Sequence, residues 1–265
     1  MQVNTTLAKL RRGEVALGCF LRFPSAALAE YLALSGLDFV VFDGEHGPLA
    51  PASCEHLVRA TELHGATPLV RVEENNPSSI LRYLDTGALG CHVPGVSSAA
   101  DAVRAVEATK FFPHGKRGLS ASRASGFGAP NGYARYTAEA NEQTQVVAHI
   151  ETVEGVNNAD EIAAVEGLDV LLMGTLDLSH DMGFPGEITR REIQDAVEVV
   201  AAAAYRHGKI LGMVASSIDA VAAHIDAGAQ YILVTAESLL KPSVQRYLDL
   251  VAIEQCRKRR RNKEC

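Results

Sequence analysis

No stretch of this 265-residue chain approaches the roughly 20 apolar residues that a membrane-crossing helix requires. Residues 1–12 are polar and lack the apolar centre of a secretory signal, which points away from export. Cysteine is sparse. Cys19, Cys54, Cys91, Cys256 and Cys265 form no C-x-x-C pair and are odd in number. They are expected as reduced thiols in a cytoplasmic protein rather than as a disulfide framework. Positive charge is also short: 25 Lys and Arg stand against 32 Asp and Glu, a net charge of -7. That balance speaks against a general nucleic-acid surface. The one basic cluster, Lys258, Arg259, Arg260, Arg261 and Lys263, reads as a solvated tail over 258–265.

What is present suits one globular enzyme domain over 1–265: 47% hydrophobic and 22% charged residues, with no composition break in the body. Short apolar runs recur at 15–21, 37–42, 67–72, 87–93, 145–150, 168–173, 209–214 and 230–234. Most are continuous rather than alternating, as strands buried on both faces are. Helical periodicity separates them at 25–34, 54–64, 78–85, 98–109, 190–207, 217–227 and 238–257. Thr189 with Glu192 forms a capping-box pattern, and Ser217 marks another helix start. Gly36, Gly65, Gly87, Gly167, Gly208 and Gly228 mark helix ends. Eight β/α units predict a (β/α)8 barrel of the TIM type. An open doubly wound sheet is the second choice, since no glycine-rich nucleotide loop follows the first strand. Segment 111–136 breaks the rhythm and is expected as a loop over the barrel mouth.

In such a barrel the chemistry sits where strands end on the C-terminal side. The second run ends in Asp43, Glu45 and His46, the third in Arg71, and the fourth near His92. The fifth ends in His149 and Glu151, and the sixth in Gly174, Thr175, Leu176 and Asp177. Glu151 and Asp177 fall on adjacent strands, close enough to share one hard divalent cation such as magnesium or manganese. Arg71 supplies a fixed planar cation for a substrate carboxylate or a developing enolate oxygen. His46 is the proton-transfer candidate, with Asp43 or Asp85 to orient it. Structural readings stand beside these: Asp43 or Glu45 as a helix cap or a partner of Arg71, and Arg71 as a structural ion pair. The set suits enolisation of a 2-oxo acid, whose carbonyl a metal would polarise.

The segment Phe39-Val-Val-Phe-Asp-Gly-Glu-His-Gly-Pro48 resembles the HpcH/HpaI aldolase family, of 4-hydroxy-2-oxoheptanedioate and 2-keto-3-deoxy sugar-acid aldolases. Pro68–Val72, Gly115–Gly118, Ala121–Ser125, Ile150–Thr152 and Gly174–Ser179 continue the resemblance in order, from about residue 13 to 240. It implies a phosphoenolpyruvate/pyruvate-type barrel and a class II aldolase. Such an enzyme cleaves a 4-hydroxy-2-oxo acid to pyruvate, or a close 2-oxo acid, and an aldehyde. The metal, Mg2+ or Mn2+ with Co2+ also accepted, falls on Glu151 and Asp177. Arg71 contacts the oxo acid, His46 transfers the proton, and Asp43 and Asp85 support it. A homo-oligomer is implied, a hexamer assembled from dimers that exchange the C-terminal helix at about 238–257. Four positions depart from the family pattern: His149 replaces a glutamine, Leu176 an alanine, His92 an apolar residue, and the Gly18-Cys19-Phe20 region an aromatic, usually tryptophan. His149, Gly174, Thr175 and Leu176 are expected at the substrate. A permissive acceptor site is expected, with His114, Lys116 and Arg123 of the long loop as the carboxylate-binding candidates and surface or oligomer contact as their alternative. Two further functions stay open: a malyl- or citryl-thioester lyase, and a noncatalytic barrel that binds metal or an oxo acid.

Overall fold

The apolar runs become strands because side chains on both of their faces find cover. The computed structural model describes residues 2–261. Its strands are β1 (Ala16–Leu21), β2 (Phe39–Asp43), β3 (Thr67–Arg71), β4 (Gly90–Val93), β5 (Gln145–Ile150), β6 (Val170–Met173), β7 (Ile210–Val214) and β8 (Tyr231–Thr235). Each pairs in parallel with the next, and β8 returns to β1 from Ala16↔Tyr231 to Phe20↔Thr235. Closure leaves no strand edge unpaired.

Around the barrel run α1 (Thr5–Arg11), α2 (Ala26–Leu34), α3 (Pro51–Glu62), α4 (Pro77–Leu84), α5 (Ala99–Thr109) and α6 (Tyr133–Gln143). Then follow α7 (Val153–Asn157), α8 (Ala159–Ala163), α9 (Thr175–Asp181), α10 (Arg191–Arg206), α11 (Ala220–Asp226) and α12 (Ala236–Arg261). Helix ends need a left-handed residue before the next strand, and Gly36 (φ 96°) and Gly208 (φ 61°) supply it. Two predicted helix starts differ. Helix α10 begins after Arg190, which pairs with Glu192 in place of a Thr189 cap, and α11 begins after Asp219 rather than at Ser217. Neither start carries a side-chain cap.

Inward-facing residues fill the barrel, among them Phe20, Phe39, Val41, Leu69, Val147, Leu172, Tyr231 and Leu233. Burying one such aromatic or aliphatic side chain contributes about 1.5–3 kcal/mol. A side chain at Gly18 would collide with the Phe39 ring, 2.2 Å from its ideal Cβ, so the glycine lets Phe39 cross the interior and stack on Tyr231 at 4.2 Å. Helix α1 closes the lower end with Leu10, and its cap is Asn4, whose side chain accepts from the Leu7 amide.

The segment 110–132 does not cover the mouth. It joins the end of α5 to α6 and β5, and such connections lie at the N-terminal end of the barrel. There Arg117 pairs with Asp85 at 3.1 Å, and Arg123 donates to Thr86 O at 2.9 Å and pairs with Glu62, the last residue of α3. Lys116 pairs with Glu107, and the His114 amide donates to Phe111 O. Arg123, His114 and Lys116 therefore lie at the opposite end from the strand termini of their own barrel.

Among the described residues, no helix is long and apolar enough to cross a membrane. Cys19, Cys54 and Cys91 are free and buried, and burial pushes the first two thiols up to about 12. Residues 262–265, with Cys265 and the end of the basic tail, lie outside the described residues, as does the side chain of Cys256. The backbone of 258–261 belongs to α12.

Candidate active site at the C-terminal ends of the strands

Register places Asp43 of β2 beside Arg71 of β3. The carboxylate accepts from Arg71 Nε at 2.8 Å and from Nη2 at 2.6 Å, a bidentate pair sealed from solvent. Asp43 Oδ1 also accepts the amides of Glu45 (3.2 Å) and His46 (3.1 Å), so one carboxylate holds both the arginine and the turn after β2. The turn requires its glycines: an ideal Cβ would lie 2.8 Å from Arg71 O at Gly44 and 2.4 Å from Asp43 O at Gly47. Burial pushes the Asp43 carboxyl up, but Arg71 and the His46 amide outweigh it and hold it below its ordinary value. The reading of Asp43 as the partner of Arg71 holds. Its contact with His46 is to the backbone.

Glu45 Oε2 lies 3.1 Å from Arg71 Nη1 but off the donor direction, buried and without a hydrogen bond. Burial, and then the charge of Glu151, push the Glu45 carboxyl up. His46 projects further out. Its ring is half exposed, with Nε2 3.9 Å from Glu45 Oε2.

Glu151 follows β5. Its Oε1 accepts the Gly95 amide at 2.6 Å, and its Oε2 lies 3.5 Å from His149 Nδ1. An ideal Cβ at Gly174 would lie 2.7 Å from that Oε2, so the glycine leaves the space in which the carboxylate rests. Burial raises the Glu151 carboxyl, yet His149, the Gly95 amide and Arg71 together bring it below its ordinary value. Asp177 stands exposed in the first turn of α9. Both carboxylates line one cavity of about 300 Å³, together with Asp43, His46, Arg71, His149, Gly174, Thr175 and Leu176. Of the residues predicted for the metal, the proton transfer and the oxo acid, all but Asp85 are there. Asp85 caps the end of α4 at the other end of the barrel, bonded to Arg117 and to Ser120 Oγ at 3.0 Å.

This donor set fits a hard divalent cation. Glu151 is held charged with Oε2 lacking a short hydrogen bond, and Asp177 opens into the same space. Among the described residues no cluster of three or more His, Cys, Asp or Glu gathers as a ready-made cage. Two carboxylates leave the remaining positions to substrate and water, an arrangement magnesium accepts.

Beneath Glu151 a buried line of polar rings crosses the barrel. His149 Nε2 meets His92 Nδ1 at 3.0 Å, and His92 Nε2 meets the Tyr231 hydroxyl at 2.7 Å. Phe20 packs edge-on against both histidines, with Arg71 stacked over its ring at 4.6 Å. Tyr231 is missed by reading strand ends, because it begins β8. Arg22 is missed although it follows β1 directly, the same signal that found Arg71. It lines the cavity and pairs with Glu237 at 3.0 Å.

Comparison with known proteins identifies the family of the barrel. The family model of the HpcH/HpaI aldolase/citrate lyase family matches residues 16–242. The 5-keto-4-deoxy-D-glucarate aldolase of Salmonella paratyphi C is 33% identical over 249 residues, 93% of this chain and 96% of that protein. A crystal structure of an HpcH/HpaI aldolase/citrate lyase family protein from Burkholderia cenocepacia has a TM-score of 0.88 at 32% identity, covering 94% of this chain and 100% of that one. The structure of citrate synthase SbnG has a TM-score of 0.82 at 30% identity, covering 95% and 97%.

Proposed function

The chain belongs to the HpcH/HpaI aldolase/citrate lyase family, as an enzyme of the aldolase type, and from that premise we propose a class II, metal-dependent aldolase. It reversibly cleaves a 4-hydroxy-2-oxo acid to pyruvate, or a close 2-oxo acid, and an aldehyde. The observation that carries this reading is the convergence of charged Glu151, Asp177 and Arg71 on one cavity. Glu151 and Asp177 hold the cation, magnesium or manganese, with cobalt accepted. When bound, it supplies Lewis-acid polarisation of the 2-oxo group.

The chain's own groups do the rest. Asp43 takes two of the N–H groups of Arg71 and leaves those of Nη1 for the oxo acid. His46 accepts the proton of the C4 hydroxyl as the C3–C4 bond breaks and the aldehyde leaves, and returns a proton to C3 of the enolate. Gly174, Thr175 and Leu176 border the oxo-acid end, with His149 beside them. Among the described residues no lysine lines the cavity, so no amine is in place for a Schiff base. The keto-deoxy sugar acid named for the Salmonella relative is the first substrate to assay.

The test is coupled detection of pyruvate. Turnover should vanish with a chelator and return with magnesium or manganese, and borohydride with substrate should modify no lysine. Equal turnover without metal overturns the reading.

We assign the protein to a homo-oligomer, a hexamer assembled from dimers, in which α12 is exchanged. Its apolar Val244, Tyr247, Leu248, Leu250 and Val251 are exposed on the single chain. Asp85 faces away from His46 of its own barrel, so the histidine it supports belongs to a neighbouring subunit.

A further inference from the structure

We propose that His149 is the positioning residue of the Glu151 carboxylate, locked in one ring tautomer by His92 and Tyr231. The inference rests on the reading of Glu151 as a metal ligand, and it concerns two histidines that depart from the family pattern.

The polar hydrogens can be placed by counting. All three rings are buried, and among the described residues the Tyr231 hydroxyl has only His92 Nε2 within hydrogen-bond reach, at 2.7 Å. A phenol there must donate or leave its hydrogen unpaired in the barrel interior, which is costly. If Tyr231 donates, His92 Nε2 accepts. His92 is neutral, since burial holds its ring well below its ordinary value, so its one hydrogen sits on Nδ1. His92 Nδ1 then donates to His149 Nε2 at 3.0 Å, which leaves the His149 hydrogen on Nδ1. That N–H faces Glu151 Oε2 at 3.5 Å. Every link points toward the carboxylate. The reverse direction leaves the Tyr231 hydrogen without an acceptor and strips Nδ1 of its proton.

The last contact is the longest, so its contribution is orientation and charge rather than a tight bond. Glu151 is then fixed on two sides, by the Gly95 amide on Oε1 and by His149 on Oε2, over the space left by Gly174. Partners of this kind orient a ligand and raise metal affinity by about 10–100-fold.

Two measurements on the full-length protein test this. The first is the ¹⁵N histidine spectrum, which reads tautomers directly. His92 and His149 should both carry hydrogen on Nδ1, and Tyr231→Phe, which deletes only a hydroxyl, should mix the tautomers of His149. A His149 with bare Nδ1 would make it a candidate ligand itself and overturn the proposal, whatever Glu151 does. The second is Mn2+ binding followed by the EPR signal of the free ion. His92→Leu keeps volume but removes the donor, and should weaken binding by about 10–100-fold. His92→Asn keeps a donor near Nδ1 and should stay within about threefold of the parent. Equal loss in both, or no loss in His92→Leu while Glu151→Gln abolishes binding, overturns the positioning role and leaves the metal reading intact. Unchanged binding in Glu151→Gln overturns the metal reading, and the inference with it.

Discussion

Removing the charge of Asp43 would leave Arg71 in a buried site with Glu45 and Glu151 as the remaining carboxylates nearby. Losing one partner of a buried ion pair costs about 3–5 kcal/mol, and the 3.1 Å contact to Glu45 places Asp43→Asn near the lower end. The pH dependence has a definite sign. Asp43 is held below its ordinary value, so its contribution is complete above that value and is lost as pH falls through the lowered one. Glu45 has the opposite sign, because its carboxyl is raised and its ionisation costs stability as pH climbs from its ordinary value through the raised one. Denaturant unfolding of metal-free protein across pH checks both. Asp43→Asn should destabilise at neutral pH and flatten the acid limb, whereas Glu45→Gln should be neutral or stabilising there. Parallel curves for parent and Asp43→Asn would show that the pair contributes nothing. In catalysis the roles separate. Arg71→Ala should retain Mn2+ binding and lose about 10²–10³-fold in turnover, the scale of one electrostatic contact. His46→Ala should slow exchange of the pyruvate methyl protons, and full-rate exchange would assign the base elsewhere.

At the level of elements, the strands were legible because most are continuous apolar runs, and several of them lead into a polar residue at the candidate site. Asp43, Arg71, Glu151 and Asp177 were found in that way. Helices α1 and α6 to α9 were not, because most are short and their apolar faces carry only two or three buried residues. Asn4 was the one available signal for α1, a capping residue ahead of buried Leu7 and Leu10. The loop 110–132 was misplaced for a different reason. Its glycine and proline content suggested a lid, but its position between a helix end and the next strand puts it at the N-terminal end. Arg123 accordingly anchors α3 and the turn after α4 of its own barrel, and Arg123→Ala should lower stability. The acceptor then meets few fixed charges. Initial rates with pyruvate and glycolaldehyde, glyceraldehyde, succinic semialdehyde or an apolar aldehyde should fall within about 10³-fold, since single groups discriminate weakly. Exclusive use of succinic semialdehyde would require a carboxylate clamp, and Arg22 rather than Arg123 is placed to supply one.

At the scale of the molecule, the barrel is closed and its interior filled, and the first turn of α12 adds Ala236 and Leu239 to the surrounding core. That helix starts against β8 and then presents apolar side chains outward: Tyr247 is 68% exposed, Val244 56% and Leu250 55%. Pro242 near its start removes one backbone donor. A row of exposed aliphatic and aromatic residues on one helix needs a partner surface. The C2 exchange of α12 proposed above would supply it twice with one geometry. Light scattering behind size exclusion should therefore report an assembly larger than a monomer at micromolar concentration. The double substitution Val244→Glu and Tyr247→Glu should shift it to a smaller species while the far-ultraviolet spectrum of the barrel stays unchanged. If Asp85 supports His46 of a neighbour, the same double variant should lose turnover while its Glu151 and Asp177 still bind Mn2+. A monomeric parent, or a dissociated variant with full turnover, would separate the active site from the assembly and leave Asp85 as the local partner of Arg117.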